Sequence, residues 1–500
     1  MTTGNRSNDG VMALVVWGIW TAALAAAFYY VARYANDLPY RDEWQMVTVA
    51  TDGCPGEPSW FFKHNNEHRI PLPKLVYCGL MAVSGGDFRA GTLLSVAMFG
   101  AVAAGLMIVV SRFRGRVALQ DAFFPLLLLH WGHAENFVLS FQIAFTIPIA
   151  LAAAAAGVIL SDRARESSLA SSFVVACAVL MPWCSVVGLA LAPALVPWLI
   201  WSGTAAWRAR TTRGRRLAVL LWSGAAICEA SIVFLLMNFP RSRLPSPGLA
   251  SDARLLAHLV LQALGPTALQ FPVAYGAIVL GVAAAIFRAV VRSLIAAPRE
   301  GRRAIGLLLF VGAVLALLAG LAHGRSLMAL TASPANRYVS IGILLYLGLF
   351  LLAALAPGAW ATRLQVALAM LVVSSTPGSY ALGRDFGATL SARLEPVFAD
   401  VRAGVSPAML AERHVERVLC SGGPRRLARQ MSRLCDAHAG PYWFLRAASS
   451  TPHAEAALCR YTAPPMRTPK WHGRANRRQA ASGTTSDDEH LLAEEPLSGR

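Results

Sequence analysis

An all-α protein that threads a lipid bilayer about eleven times is the fold class predicted by three features of this chain: pervasive apolarity, repeated uninterrupted apolar runs, and arginines gathered in short links. Hydrophobic residues fill 56% of the 500 positions and charged ones only 14%, so little of the chain can face water and an ordinary soluble enzyme is excluded. Runs of about 18 or more residues with few charges are long enough to cross a hydrocarbon core of ~30 Å as helices, the form in which a backbone satisfies its own hydrogen bonds in lipid. The arginines stand between those runs: Arg112, Arg114, Arg116; Arg163, Arg165; Arg208, Arg210, Arg213, Arg215, Arg216; Arg292, Arg299, Arg302, Arg303; Arg363. Links of that kind stay on the cytoplasmic side. That distribution accounts for the net charge of +18 without nucleic acid as a partner.

Val11 to Val31 follows a short polar start and has no small-residue cleavage site, so it reads as an uncleaved signal anchor with its amino end cytoplasmic. Alternating sides from there predicts crossings at about 90–110, 117–131, 143–160, 169–183, 186–202, 217–237, 273–291, 304–322, 338–356 and 361–376, and leaves every arginine cluster inside. These make up a transmembrane module over residues 1–376. Between its first two crossings lies a loop, residues 34–89, long enough to imply a function. Within it Leu72 to Val83 is apolar but too short to span, and predicts a helix lying at the interface. Residues 377–463 have soluble composition and predict a small helical region on the outer side, with a helix-like stretch from Pro407 to Cys420. Residues 464–500 turn basic and then acidic with little to bury, and read as a disordered tail. Cys420 with Cys435 is the first pair to consider for a disulfide, free thiols being the alternative.

The polar residues that can carry chemistry gather at the outer ends of the crossings, in four groups. Asp42 and Glu43, just past the first crossing, can supply a general base and a metal ligand, because a carboxyl partly removed from water titrates nearer neutral pH. The competing role for them is a solvated turn or a pair with Arg41. Further along the loop, His64, Asn65, Glu67, His68 and Arg69 stand beside Trp60, Phe61 and Phe62. His-x-x-Glu-His also occurs in inverted zinc-peptidase motifs, but a proline-bounded stretch rich in aromatics suits a phosphate and a sugar better, since Arg grips phosphate oxygens in pairs. Alternatively the stretch is the wet face of an interfacial helix. The third group is the link His130 to Gln142, where Glu135, Asn136 and Gln142 lie between two apolar runs with no basic residue nearby in sequence. Such groups are costly at a membrane unless they face water, a metal or a polar ligand. The fourth is Arg337 with Tyr338, which can hold an anionic head group or simply belong to the snorkelling and aromatic belt.

A signal-anchor helix, a long first outer loop with an acidic pair at its start and an interfacial helix, and a second acidic residue between crossings three and four together resemble the GT-C superfamily of membrane glycosyltransferases. The His-x-x-Glu-His-Arg stretch and the Glu-Asn link also look like a group of bacterial membrane proteins related to it. The resemblance covers about residues 11–376 and rests on layout. It implies a polyprenyl-phosphate-linked sugar as donor, an envelope glycan, lipid or protein as acceptor, and inverting transfer on the outer face of a bacterial cytoplasmic membrane. Asp42 or Glu43 would then be the base, Glu135 a second acidic residue or, with Asp42, a ligand to Mg or Mn, and Arg337 a contact to the lipid-linked phosphate. The acidic pair is Asp-Glu rather than a spaced Asp-x-Asp, which departs from that family's pattern. Two other functions compete: transport of a lipid-linked sugar, for which Glu229 inside a crossing speaks, and a non-catalytic role in envelope assembly.

Overall fold

The computed structural model describes residues 4–65, 69–237, 247–296, 301–327, 329, 335–419 and 423–442; expectations placed on Glu67, His68, Arg299, Cys420 and the tail 464–500 lie outside these. Every regular element among the described residues is helical. The helices used below are α1 (Gly4–Tyr34), α2 (Val47–Asp52), α3 (Pro71–Ser84), α4 (Ala90–Arg114), α5 (Ile143–Ser161), α6 (Ser168–Leu180), α7 (Val186–Arg208), α8 (Thr212–Leu236), α9 (Leu249–Gln262), α10 (Pro272–Ala296), α11 (Gly301–Arg325), α12 (Val339–Ala354), α13 (Ala359–Arg402), α14 (Pro407–Val418) and α15 (Gly423–Asp436). Nine of these described helices, α1, α4, α5, α7, α8 and α10 to α13, are long and apolar enough to cross a membrane. The protein is therefore a polytopic helical membrane protein. α5 and α12 are apolar on all sides and almost wholly buried, which makes them the centre of the bundle.

Two of the expected crossings differ. The run at 169–183 forms a helix, Ser168–Trp183, shorter than a usual span. The run at 117–131 is not a regular helix at all. It contains a 3-10 turn (Leu119–Ala122) and a short helix (Phe123–Leu128), with a second 3-10 turn (Trp131–His133) beyond it. It still traverses the bundle, because α4 and α5 run parallel: Ser95 bonds Thr146 at 2.9 Å near one end, and Gly157 lies against Leu106 toward the other. The chain must return between them. Asp121, at the start of the return, pairs with Arg114 at 2.9 Å, and Ser140, at its close, accepts the Gly91 amide at 3.1 Å.

A broken backbone survives at membrane depth only where protein surrounds it and its freed polar groups find partners. Both conditions hold. Phe123 stacks on Phe350 of α12 with ring centroids 4.3 Å apart, and His130 and His133 are buried. The Gly132 amide donates to His130 Nδ1 at 2.9 Å, and His133 Nε2 meets the Leu127 carbonyl at 3.0 Å. Pro125, Gly132 and the two imidazoles thus account for the break.

α13 continues through residue 376, where the membrane module was expected to end, and its 44 residues span ~66 Å. Close approach to the broken crossing depends on a missing side chain, since a Cβ at Gly383 would sit 2.4 Å from the Trp131 side chain and carbonyl. The Tyr30 hydroxyl donates to the Gly383 carbonyl at 2.8 Å, tying α1 into the same seam. Beyond it, α14 and α15 fold back on the first loop. Trp44 Nε1 donates to the Val418 carbonyl at 3.1 Å, Gly440 lies against the Asp37 carbonyl, and α15 packs on α2. The loop and the carboxyl-terminal helices therefore form one cap with a shared core that includes Trp44, Phe88, Met431 and Leu434. A disulfide joins Cys54 to Cys78 of α3, and Cys435 is also disulfide-bonded.

Candidate functional site

The cap is anchored through Glu43. It lies in a 3-10 turn, Arg41–Met46, that follows the extended residue Tyr40, and it is 3% exposed. Its Oε2 accepts the Tyr40 amide at 2.9 Å, while Oε1 accepts the amides of Ser140 and, at 3.4 Å, Phe141. One carboxyl thus stitches the loop onto the link that follows the broken crossing. Burial pushes it up to about 8, against the pull of the three backbone donors.

From Phe141 the chain passes directly to Gln142, whose Nε2 reaches Glu135 Oε1 at 3.5 Å. Glu135 starts the short helix Ala134–Val138 and is 4% exposed. Removing a carboxylate from solvent requires a partner, and it has one: Arg337 Nη1 donates to Oε1 at 2.9 Å and the Arg337 amide donates to Oε2 at 3.1 Å. Asn136 clamps the same strand of chain from the other side, its Nδ2 donating to the Arg337 carbonyl at 3.0 Å and to Ser340 Oγ at 2.6 Å. Ser340 in turn meets His133 Nδ1 at 2.7 Å. Asn136 Oδ1 and Gln142 Oε1 are buried acceptors without a donor among the described residues. The Arg337 guanidinium lies over the Tyr338 ring, and Tyr338 is buried.

Asp42 is half-buried, and its Oδ1 accepts from Gln45 Nε2 at 3.4 Å. Gln45 Oε1 accepts from Asn65, so the second group of expected residues reaches the first through Gln45. His64 accepts from Arg69 Nε at 3.2 Å, and Arg69 also donates to the Met237 carbonyl at 3.5 Å past the end of α8. Partial burial and then the Arg69 charge hold His64 below its ordinary value. Phe62, Trp183 and Phe234 make mutual ring contacts at this edge, as an interfacial aromatic belt would.

Glu43, Glu135, Asn136, Gln142 and Arg337 are therefore brought together in one hydrogen-bonded network, and Asp42 and Asn65 border it. His64 and Arg69 stand at a separate edge, toward the end of α8. Among the described residues no three His, Cys, Asp or Glu side chains gather in one place, and the two expected ligands, Asp42 and Glu135, bond to Gln45 and Arg337. Glu229 is exposed on the outer surface of α8 rather than enclosed between helices. Ser140, Ser340 and Lys74 are not among the site residues expected from sequence. Lys74 sits in α3 under Trp60, donates to the carbonyls of Trp60 and Lys63 at 2.9 and 2.8 Å, and is pushed down to about 8 by burial. Only Ser340 had a signal, one turn beyond Arg337. No family model, no curated protein and no solved structure matches the chain.

Proposed function

We propose that this protein is a membrane glycosyltransferase of the GT-C kind, which moves a sugar from a polyprenyl-phosphate donor to an envelope acceptor beneath the cap. The observation that carries the reading is the meeting of the first loop, the link after the broken crossing and the Arg337 turn in one polar network at one end of the bundle. In this reading the capped end is the outer face of a bacterial cytoplasmic membrane. Two features support that side: the disulfide-bonded cysteines lie in the cap, and Arg114, Arg165 and Arg302 lie at the other end.

Glu43 and Glu135 are buried, whereas Asp42 beside them is only half-buried, so the base role is assigned to Asp42, which takes the proton of the acceptor hydroxyl as that oxygen bonds to the anomeric carbon. The bond from carbon to phosphate oxygen breaks, and its electron pair leaves with the polyprenyl phosphate. Arg337, held in place by Glu135, is the countercharge assigned to that phosphate. Glu43 positions the loop, and the open acceptors of Asn136 and Gln142 suit hydroxyl donors of a sugar.

The test is release of polyprenyl phosphate by purified protein given polyprenyl-phosphate sugars. Asp42→Asn should slow it by ~10²-fold or more. Arg337→Lys should raise KM for the donor and lower turnover, because an ammonium does not reproduce the paired guanidinium contact. Full turnover in Asp42→Asn would remove the base assignment, and no turnover with any donor would remove the transferase.

A further inference from the structure

The outward face of α15 has no role in the network beneath the cap. Arg425, Arg429 and Arg433 follow one another at intervals of four residues and Arg426 lies beside them, all exposed. Successive arginines in the row lie ~6 Å apart along the axis. Like charges at that spacing destabilise a helix, and two of these stand in its first turn, where the helix dipole is already positive. Among the described residues the remaining cap provides a carboxylate only to Arg433, through Asp52 at 3.4 Å. Elsewhere in the cap the exposed arginines are mostly neutralised: Arg89 by Asp87, Arg384 by Asp385, Arg402 by Glu395 and Arg413 by Asp400. Arg425, Arg426 and Arg429 have no such partner among the described residues.

We infer that this row binds a polyanionic polymer, one with phosphate or carboxylate groups repeated at short intervals. The helix is held as a rigid comb for it, because its other face is fixed in the cap by Leu427, Met431, Leu434 and the disulfide-bonded Cys435. A membrane surface fits less well. Interfacial helices insert an apolar face among lipids, and the apolar face of α15 is already used inside the protein. Binding of this kind stands apart from the transfer reaction and does not depend on it.

The experiment uses the full chain in nanodiscs of neutral lipid and inorganic polyphosphate as probe. Wild type should bind, with an affinity that falls steeply with salt. Arg425→Ala/Arg426→Ala/Arg429→Ala should weaken binding at least tenfold and lower the slope of log affinity against log salt by about 2, as expected when some three anionic contacts are lost. The corresponding triple Lys variant should retain most of the affinity, which separates lost charge from lost folding. Failure of wild type to bind, or equal binding by the triple Ala variant, overturns the inference. So does a triple Ala effect seen only with anionic vesicles, which would make the row a membrane contact.

Discussion

At the scale of single residues the informative case is Glu43. A carboxylate in a loop beside a membrane is visible in the sequence as an acid near the site, and Glu135 and Arg337 are visible for the same reason, polar groups at the ends of apolar runs. That Glu43 serves two backbone segments is not visible, because its second partner, Ser140, is 97 positions away and contributes an amide that every residue has. Its chemistry makes a definite pH dependence. The carboxyl titrates near 4.5 when free and at about 8 in the folded protein, so between those values only the folded state carries the proton. Stability from this group is full below pH 4.5 and is lost as pH rises through about 8, on the order of 1.4 kcal/mol per pH unit at most. Thermal unfolding between pH 5 and 9 should show the loss in wild type, and Glu43→Ala should be less stable throughout and flatter with pH. A wild-type curve that rises with pH over this range would contradict the assignment.

At the scale of elements, apolar runs locate most crossings but cannot reveal whether one is regular. The run at 117–131 is apolar apart from Gln120, Asp121 and His130, and what breaks it is the local demand of Pro125, Gly132 and two imidazoles that cap freed amides and carbonyls. Its surroundings then depend on small residues of α13. Gly383→Ala places a methyl 2.4 Å from Trp131, and overpacking of that degree costs about 1–3 kcal/mol, more than the gain in helix propensity. Gly312→Ala on α11, where no atom lies within 4 Å, should leave stability unchanged or raise it. Comparison of the two melting points in one detergent tests the seam, and equal values would mean that α13 and the broken crossing do not meet as described.

At the scale of the molecule, the sequence separates a membrane module from a carboxyl-terminal region at residue 376, and the fold runs a single helix across that point. Composition changes where the environment changes from lipid to water, whereas a helix needs only continued hydrogen bonding, so a boundary in composition is not a boundary in structure. The same helix brings α14 and α15 back over the first loop, which no local pattern in either segment announces, and the cap they build includes Glu43, which joins it to the link whose Glu135 pairs with Arg337. The most direct measurement of the central claim is a structure determined with a polyprenyl-phosphate sugar bound. The donor phosphate should lie within hydrogen-bonding reach of the Arg337 guanidinium, with its sugar under the first loop beside Asp42. A donor held elsewhere, against the lipid-facing side of α8 at Glu229 or along a path through the bundle, would contradict it.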